Sequence, residues 1–505
     1  LIFDSESNSV TISNNSISNI KYGIYSTTLI DNLTIFNNNV NNNFSTQNGT
    51  FYYQYSTGTE QINLTINDNN FYGLESIVDL SYNTIPYSLN TSNIYSNHLI
   101  NCGRIISLTI NILDFKIYSN IFTSCTDTSG VIILTSFMAS TQKNIEIYSN
   151  TLSECVCGFY VQNNAGLGLI ENLLIRDNII DIVVDGTIRY GIYLGASNCN
   201  SIQILRNKIG NSHGNAPNFY PIYLSGGNNT NISNSVTIKN NIVEMYQLFD
   251  IFLIIEMTFN SANNWNISYN DFISIQSNSE NGLIISNTSS NLIKNFKFNN
   301  NILYADVVPI DIKNIDDATA TFDYNCYKDV LTLNNGSTIT GALSTSGNNN
   351  VIGDPLFTDI NTHDYYLTQD SPCIETGILN DDIGAIDYID GVNVYIKDSA
   401  ITNLNSSNID SVNIRVENNA FDNTLPNDFN IVLNKNNQFD FNAPSNYPLV
   451  KNSIGYGENL AWFLNNKSEF ESFSDIDSPP NPGKESPNFI DYPNGLFGYR
   501  RSDGQ

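Results

Sequence analysis

The sequence predicts an all-β fold, a right-handed parallel β-helix with an asparagine ladder. Three observations predict it: a short motif that returns every 23 to 34 residues, alternating apolar strands beside it, and no helical period of useful length. The motif is an apolar residue, two mostly polar residues, Asn, any residue and a second apolar residue. Its Asn residues are Asn15, Asn38, Asn69, Asn97, Asn120, Asn150, Asn178, Asn207, Asn241, Asn270, Asn301 and Asn325. Three consecutive copies are nearly identical: Ile94-Tyr95-Ser96-Asn97-His98-Leu99, Ile117-Tyr118-Ser119-Asn120-Ile121-Phe122 and Ile147-Tyr148-Ser149-Asn150-Thr151-Leu152.

The spacing is too long for a hairpin and too short for an independent domain, so each interval is one coil of a solenoid. The apolar residue before each Asn ends a short alternating strand, such as Val10-Thr11-Ile12 or Val236-Thr237-Ile238, with every second side chain inward. Asn suits the corner because it accepts left-handed backbone at low cost and its amide both donates and accepts. Successive amides are expected to stack into a ladder. Cys102, Cys125 and Cys155 each fall five residues after a ladder Asn. They are expected to stack on neighbouring coils as free thiols, although the strand spacing also falls in the Cα window of a disulfide. Twelve rungs at about 4.8 Å give a rod of roughly 55–60 Å.

Composition agrees with a solenoid and excludes several functions. The formal net charge of −28, with only 21 Lys and Arg, leaves no basic stripe for nucleic acid. A divalent cation is the partner such a surface suits. No stretch approaches the roughly 18 consecutive apolar residues of a membrane span; the run from Ile251 to Met257 is interrupted by Glu256. Seven cysteines, with Cys155-Val156-Cys157 unaccompanied by a second pair at ligand spacing, make neither a disulfide scaffold nor a zinc site. The chain starts at Leu1 without a charged-then-apolar leader, so any signal peptide is expected to lie outside these residues or to have been removed.

Beyond Asn325 the texture changes to Gly353-Asp354-Pro355-Leu356-Phe357, Tyr365-Tyr366-Leu367, Ser371-Pro372-Cys373-Ile374 and Asp382-Ile383-Gly384-Ala385. This series resembles the closing segment of secreted and surface-attached bacterial and archaeal parallel β-helix proteins of the pectin-lyase-like superfamily. Rung-like copies then resume at Val394-Tyr395-Ile396 and Ile414-Arg415-Val416, which lead to Ser399 and Asn419 at the ladder position. A second closing segment begins near Ser486-Pro487 and breaks off at Gln505, so the natural polypeptide is expected to be longer. The expected division is a rod over 1–340, a closing or capping segment over 341–390 and a smaller second β unit over 391–505. Ser478-Pro479-Pro480-Asn481-Pro482-Gly483 reads as a loop in that last unit.

The resemblance implies testing for pectate-lyase, polygalacturonase or epimerase chemistry, which the fold alone does not decide. A lyase needs an Arg or Lys base near carboxylates that hold Ca²⁺, which makes the proton beside a uronate carboxyl removable. The richest basic neighbourhood is Arg176, Arg189, Arg206, Lys208 and His213 with Asp177, Asp181 and Asp185, on adjacent coils that could share a face. Of these, Arg189, Arg206, His213, Asp181 and Asp185 are the candidate catalytic residues, although a solvated surface is the ordinary reading of charges in a ladder turn. The acidic pairs Asp316-Asp317 and Asp381-Asp382 fit turns better than a hydrolase site. His213-Gly214 matches one hydrolase fragment without its companion segments, and His98, His213 and His363 have no Gly-x-Ser-x-Gly elbow. No cofactor is demanded. Ca²⁺ is the one candidate, in acidic turns such as Asp381-Asp382, and the metal ligands are otherwise unknown.

Sequons number thirteen, about what an Asn-, Ser- and Thr-rich chain yields by chance, so their placement matters more than their number. The glycosylation candidates are Asn48, Asn90, Asn228, Asn287, Asn335, Asn405 and Asn466, with Asn48, Asn90 and Asn228 expected in loops between strands. Function is read first as an extracellular structural glycoprotein: the subunit of a cell-surface filament, sheath, surface layer or adhesin. Such a protein would self-associate and contact glycans through exposed aromatic residues. The alternatives are a polysaccharide lyase, hydrolase or epimerase acting on acidic glycans, and a viral fibre or tailspike. Enzymatic activity stays open, with the balance against it.

Overall fold

The apolar residue three positions before each ladder Asn forms one continuous column. Ile12, Ile35, Ile66, Ile94, Ile117, Ile147, Ile175, Ile204, Ile238 and Ile267 follow one another in parallel register, and Phe298 and Phe322 continue the row. All twelve are buried, and the last two rings stack at 4.9 Å. β-Branched side chains stacked at the strand spacing bury apolar area on every coil, which is the main stabilising term in a solenoid.

The structure is a computed structural model. It describes residues 1–385 outside 4–6, 28–29, 43–48, 55–60, 81–87, 109–110, 137–140, 164–168, 184–187, 197, 214–218, 227–233, 247–250, 258–261, 276–281, 288–292, 306, 314–319, 329, 334–348, 369 and 379–381, and beyond 385 it describes only seven strands. Three parallel sheets of 13 strands carry the rod, and the chain visits them in turn; one coil gives the second sheet two short strands, Ile293–Lys294 and Lys297–Asn299. In one coil the strands Ser76–Leu80, Ser88–Tyr95 and His98–Ile100 belong to the first, second and third sheets. Among the described residues there is no α-helix; Ile360–Thr362 forms a 3₁₀ turn, and no helix is long and apolar enough to cross a membrane. The fold is therefore the expected all-β parallel β-helix.

The corner between the second and third sheets carries the ladder. Each Asn Nδ2 donates to the Oδ1 of the next Asn at 2.9 to 3.2 Å, from Asn15 through Asn325. The last acceptor is Asn350, a thirteenth rung beyond the expected end at Asn325. One expectation is corrected in detail. The left-handed residue is not the ladder Asn but the one before it: Asn14, Asn37, Asp68, Ser96, Ser119, Ser149, Asp177, Arg206, Asn240, Tyr269, Asn300 and Tyr324 all have φ between 52° and 58°. The ladder Asn must aim both its backbone N–H and its Nδ2 at the Oδ1 above it, as Asn97 does toward Asn120. The bend therefore falls one residue earlier, and the ladder bonds offset its cost of about 1–2 kcal/mol where the residue is not Asn.

Cys102, Cys125 and Cys155 are buried and free, as expected. Contact with the Cys155 thiol, followed by burial, raises Cys125 well above the ordinary thiol range.

The closing segment first extends the third sheet, where Val351–Ile352 pairs with Cys326–Tyr327. It turns back along the outer face of the third sheet: Gly353 N donates to Tyr327 O, Tyr304 packs on Phe357, and His363 reaches Tyr246, whose coil lies four ladder rungs before Asn350. It belongs to the same compact unit as the rod, Leu1–Asp387. The second unit, Tyr388–Gln505, has its own parallel strands. Val392–Lys397 pairs with Val412–Glu417 and that strand with Gln438–Phe441, while Asn488–Asp491 and Phe497–Arg500 form an antiparallel hairpin.

Candidate functional site

The basic neighbourhood expected on one face is divided among three elements. Arg176 ends the second-sheet strand Leu169–Arg176, and Asp177 and Arg206 occupy left-handed positions in successive ladder turns. Asp177 accepts from Arg206 Nε at 2.6 Å and from Arg176 at 2.7 Å. Partial burial pushes the Asp177 carboxyl upward, but these two guanidiniums more than reverse it and hold it below its usual value. The same hydrogen bond pushes Arg206 up, so Arg206 is held charged and is poorly suited to act as a base. Arg189 starts the first-sheet strand Arg189–Ala196, is buried, and donates to Ile188 O.

Asp181 and His213 do come together in part. They lie on the paired third-sheet strands Ile179–Val183 and Lys208–His213, with Asp181 opposite Gly210 and Val183 opposite His213. Asp185 lies outside the described residues, as do the sequons Asn48, Asn228, Asn335 and Asn466 and the acidic residues Asp316, Asp317 and Asp381. Asp382 accepts the N–H of Glu375 at 2.8 Å and so serves a turn. Asn90 is within the second-sheet strand Ser88–Tyr95, opposite Leu113, and not in a loop. The strand simply begins earlier than its apolar alternation, at Ser88. Asn287 ends the strand Gly282–Asn287, and Asn405 lies in Leu404–Asn405.

A different cluster gathers where the closing segment crosses the third sheet. Glu244 points outward from the strand Ile242–Met245, yet it is only 5% exposed, because the hairpin tip around His363 and Tyr365 covers it. His363 Nδ1 stands 3.1 Å from Glu244 Oε2, and its Nε2 stands 3.0 Å from the Tyr246 hydroxyl. Lys208 Nζ lies 2.9 Å from Glu244 Oε1, an ion pair not aligned as a directed hydrogen bond, and 5.5 Å above the Tyr365 ring. Tyr365 OH meets His363 Nδ1 at 3.2 Å. Burial, then Glu244 and Asp181, raise Tyr246, and burial raises Tyr365 still further, so both phenols keep their protons.

Carboxylate, imidazole and hydroxyl thus stand in line, a geometry able to orient a ring and pass a proton. The sequence concealed it because His363 and Glu244 sit in different segments, with only Tyr365-Tyr366-Leu367 marking the hairpin. Among the described residues no group of three or more His, Cys, Asp or Glu could hold a metal ion.

Tyrosines make the second feature. Tyr95, Tyr118 and Tyr148 stack at 4.9 Å on the outer second sheet, and Arg176 continues the column 4.2 Å from the Tyr148 ring. On the first sheet Tyr160, Tyr190, Tyr193, Tyr220 and Tyr223 form a half-buried group with centroid distances of 4.5 to 5.9 Å. These rings offer hydroxyls and aromatic surface without formal charge. No family model matches the chain, and neither a curated protein nor a solved structure is significantly similar to it.

Proposed function

We propose that the protein is an extracellular structural rod, the subunit of a self-associating cell-surface filament, sheath, surface layer or adhesin. The observation that carries this reading is the unbroken ladder from Asn15 to Asn350, which commits one amide per coil, buried from Asn38 to Asn325, to stiffness. The charged side chains around Asp177 are likewise bound to one another, with Arg176 and Arg206 both engaged by that carboxylate. The acidic, Lys-poor composition and the resemblance of the closing segment to secreted β-helix proteins support the extracellular setting. The tyrosine group around Tyr193 supplies the surface for glycan contact in an adhesive role.

Negative-stain electron microscopy of purified protein, with Ca²⁺ and after chelation, tests the proposal. Regular polymers support it; single dispersed rods at every concentration and Ca²⁺ level refute the assembly. The line Glu244, His363, Tyr246 favours one second reading, a polysaccharide-active enzyme using proton transfer. Turnover of an acidic glycan that is abolished by His363→Ala would favour it over the rod.

A further inference from the structure

Two cysteines meet where the closing segment crosses the last coils. Cys326 opens the short third-sheet strand Cys326–Tyr327, paired with Ile302 on the coil before it and Val351 after it, and Cys373 sits in the turn that follows Ser371-Pro372. Both are fully buried. Separate contacts fix their approach. Cys326 Sγ lies 3.6 Å from Gly353 O, and a Cβ at Gly353 would stand 3.7 Å from the Pro372 ring, one residue before Cys373. The Cys326 thiol is near enough to add to the rise of the Cys373 thiol, after burial. Ile383 N donates to Cys373 O and Gly384 N to Asn300 O, each at 2.9 Å, which holds that turn against the rod.

We propose that Cys326 and Cys373 are a modification site: joined as a disulfide, they staple the closing segment to the end of the rod. The electron acceptor is a small-molecule disulfide such as oxidised glutathione. One cysteine thiolate attacks it and releases a first glutathione thiolate; the second cysteine thiolate then attacks the mixed disulfide and releases the other. The Cys326–Cys373 bond forms, the acceptor's S–S bond is reduced, and the two protons lost by the cysteines end on the two glutathione thiols.

The geometry selects this pair over the stacked one. Cys125 and Cys155 occupy equivalent inward positions on successive coils, so their Cβ atoms stand about one strand spacing apart, roughly 4.8 Å. A disulfide prefers about 3.5–4.5 Å between Cβ atoms. Cys373 instead lies in a turn outside the sheets, so its distance from Cys326 is not set by the strand spacing. Burial and the neighbouring thiol hold Cys373 far above the ordinary thiol range, so the thiolate is scarce once the segment has docked. The bond therefore forms during folding and resists both formation and reduction afterwards. The staple takes its natural setting from the extracellular reading, but its chemistry does not depend on polymerisation.

Refolding the full chain tests it. Protein denatured and reduced is refolded either in a mixture of reduced and oxidised glutathione or in excess dithiol, then alkylated, digested and examined by mass spectrometry. The glutathione sample should yield a linked peptide joining Cys326 to Cys373, lighter than its reduced parts by two hydrogens, with the other five cysteines, Cys102, Cys125, Cys155, Cys157 and Cys199, alkylated. Its thermal midpoint should exceed that of the dithiol sample. Protein already folded in dithiol should form the link far more slowly. The double variant Cys326→Ser/Cys373→Ser, refolded in dithiol beside wild type, separates loss of the bond from failure to fold: its midpoint should match reduced wild type and be unmoved by glutathione. Alkylation of both cysteines after glutathione refolding, or a dominant Cys125–Cys155 link, would overturn the proposal. Failure of the rods to polymerise would leave it standing.

Discussion

Tyr246 and His363 stand 117 residues apart in the chain and meet at 3.0 Å, phenol oxygen to Nε2. The imidazole between them and Glu244 joins the rod to its closing segment, since Glu244 and Tyr246 come from the third sheet and His363 from the hairpin tip. His363→Ala should free the hairpin first and leave the coils intact. Limited proteolysis should show new cleavage between residues 353 and 385, while fragments ending before residue 334 stay resistant. Glu244→Gln should give a milder form, because an amide still accepts from His363 but loses the ion pair with Lys208. Equal protease resistance in wild type and His363→Ala would show that the hairpin is held by its apolar contacts alone.

The ladder should be costly to break at its middle and cheap at its first rung. Asn150 Oδ1 accepts from both the backbone N and the Nδ2 of Asn120, and its own Nδ2 donates to Ile117 O, Tyr148 O and Asn178 Oδ1. Asn150→Leu leaves several of these groups buried without partners. At about 1–3 kcal/mol for each unsatisfied group, the loss should reach roughly 3–6 kcal/mol. Asn15 is exposed and bonded on one side only, so Asn15→Ala should cost about 0.5–1 kcal/mol. Denaturant titration of both variants checks the contrast.

Asp271 makes the closing segment sensitive to alkali. Its carboxyl is 1% exposed, and Oδ1 accepts the N–H of Ala385. Burial, only partly opposed by that hydrogen bond, raises it from 3.8 to about 8. Between those values the folded protein holds a proton that the unfolded chain has released, so stability is full below about pH 4 and falls as the pH rises to about 8. Tyr365 and Cys373 face the same region and keep their protons throughout. Hydrogen exchange over residues 371–385 should therefore quicken in wild type as the pH climbs from 5 to 9, after correction for intrinsic exchange. Asp271→Asn should flatten that dependence; a parallel slope in both proteins would exclude Asp271 as its source.

The difference between the ladder and the Glu244–His363 contact also explains what the sequence could tell. Ile94, Asn97 and Leu99 recur with fixed spacing because each coil solves the same packing problem, so repetition alone exposed the fold and twelve of the ladder residues. Asn350 escaped because it follows the stretch after Asn325 without the apolar residue three places earlier: Gly347 stands there. The Glu244–His363 contact occurs once, between distant segments, and no period announces it. Arg176, Arg206 and Asp177 were legible as neighbours, but only coordinates separate a guanidinium locked by a carboxylate from one free to act.

A glycine corner offers the sharpest test of how closely the coils approach. Gly158 lies between the third and first sheets, and a Cβ there would overlap the backbone carbonyl of Gly191 on the next coil. Gly158 N already donates to Tyr190 O at 2.8 Å, and Val131 N donates to Gly158 O, so neither neighbour can withdraw without losing a ladder bond. Gly158→Ala should therefore destabilise by more than the few tenths to 1 kcal/mol expected from glycine's backbone entropy, and in the opposite direction. Gly353→Ala is the matching control, since its Cβ would meet Pro372 at an ordinary 3.7 Å. A marked fall in thermal midpoint for Gly158→Ala with little change for Gly353→Ala is the expected pair of results. If both variants melt like wild type, the carbonyl of Gly191 gives way to a Cβ at this corner at little cost.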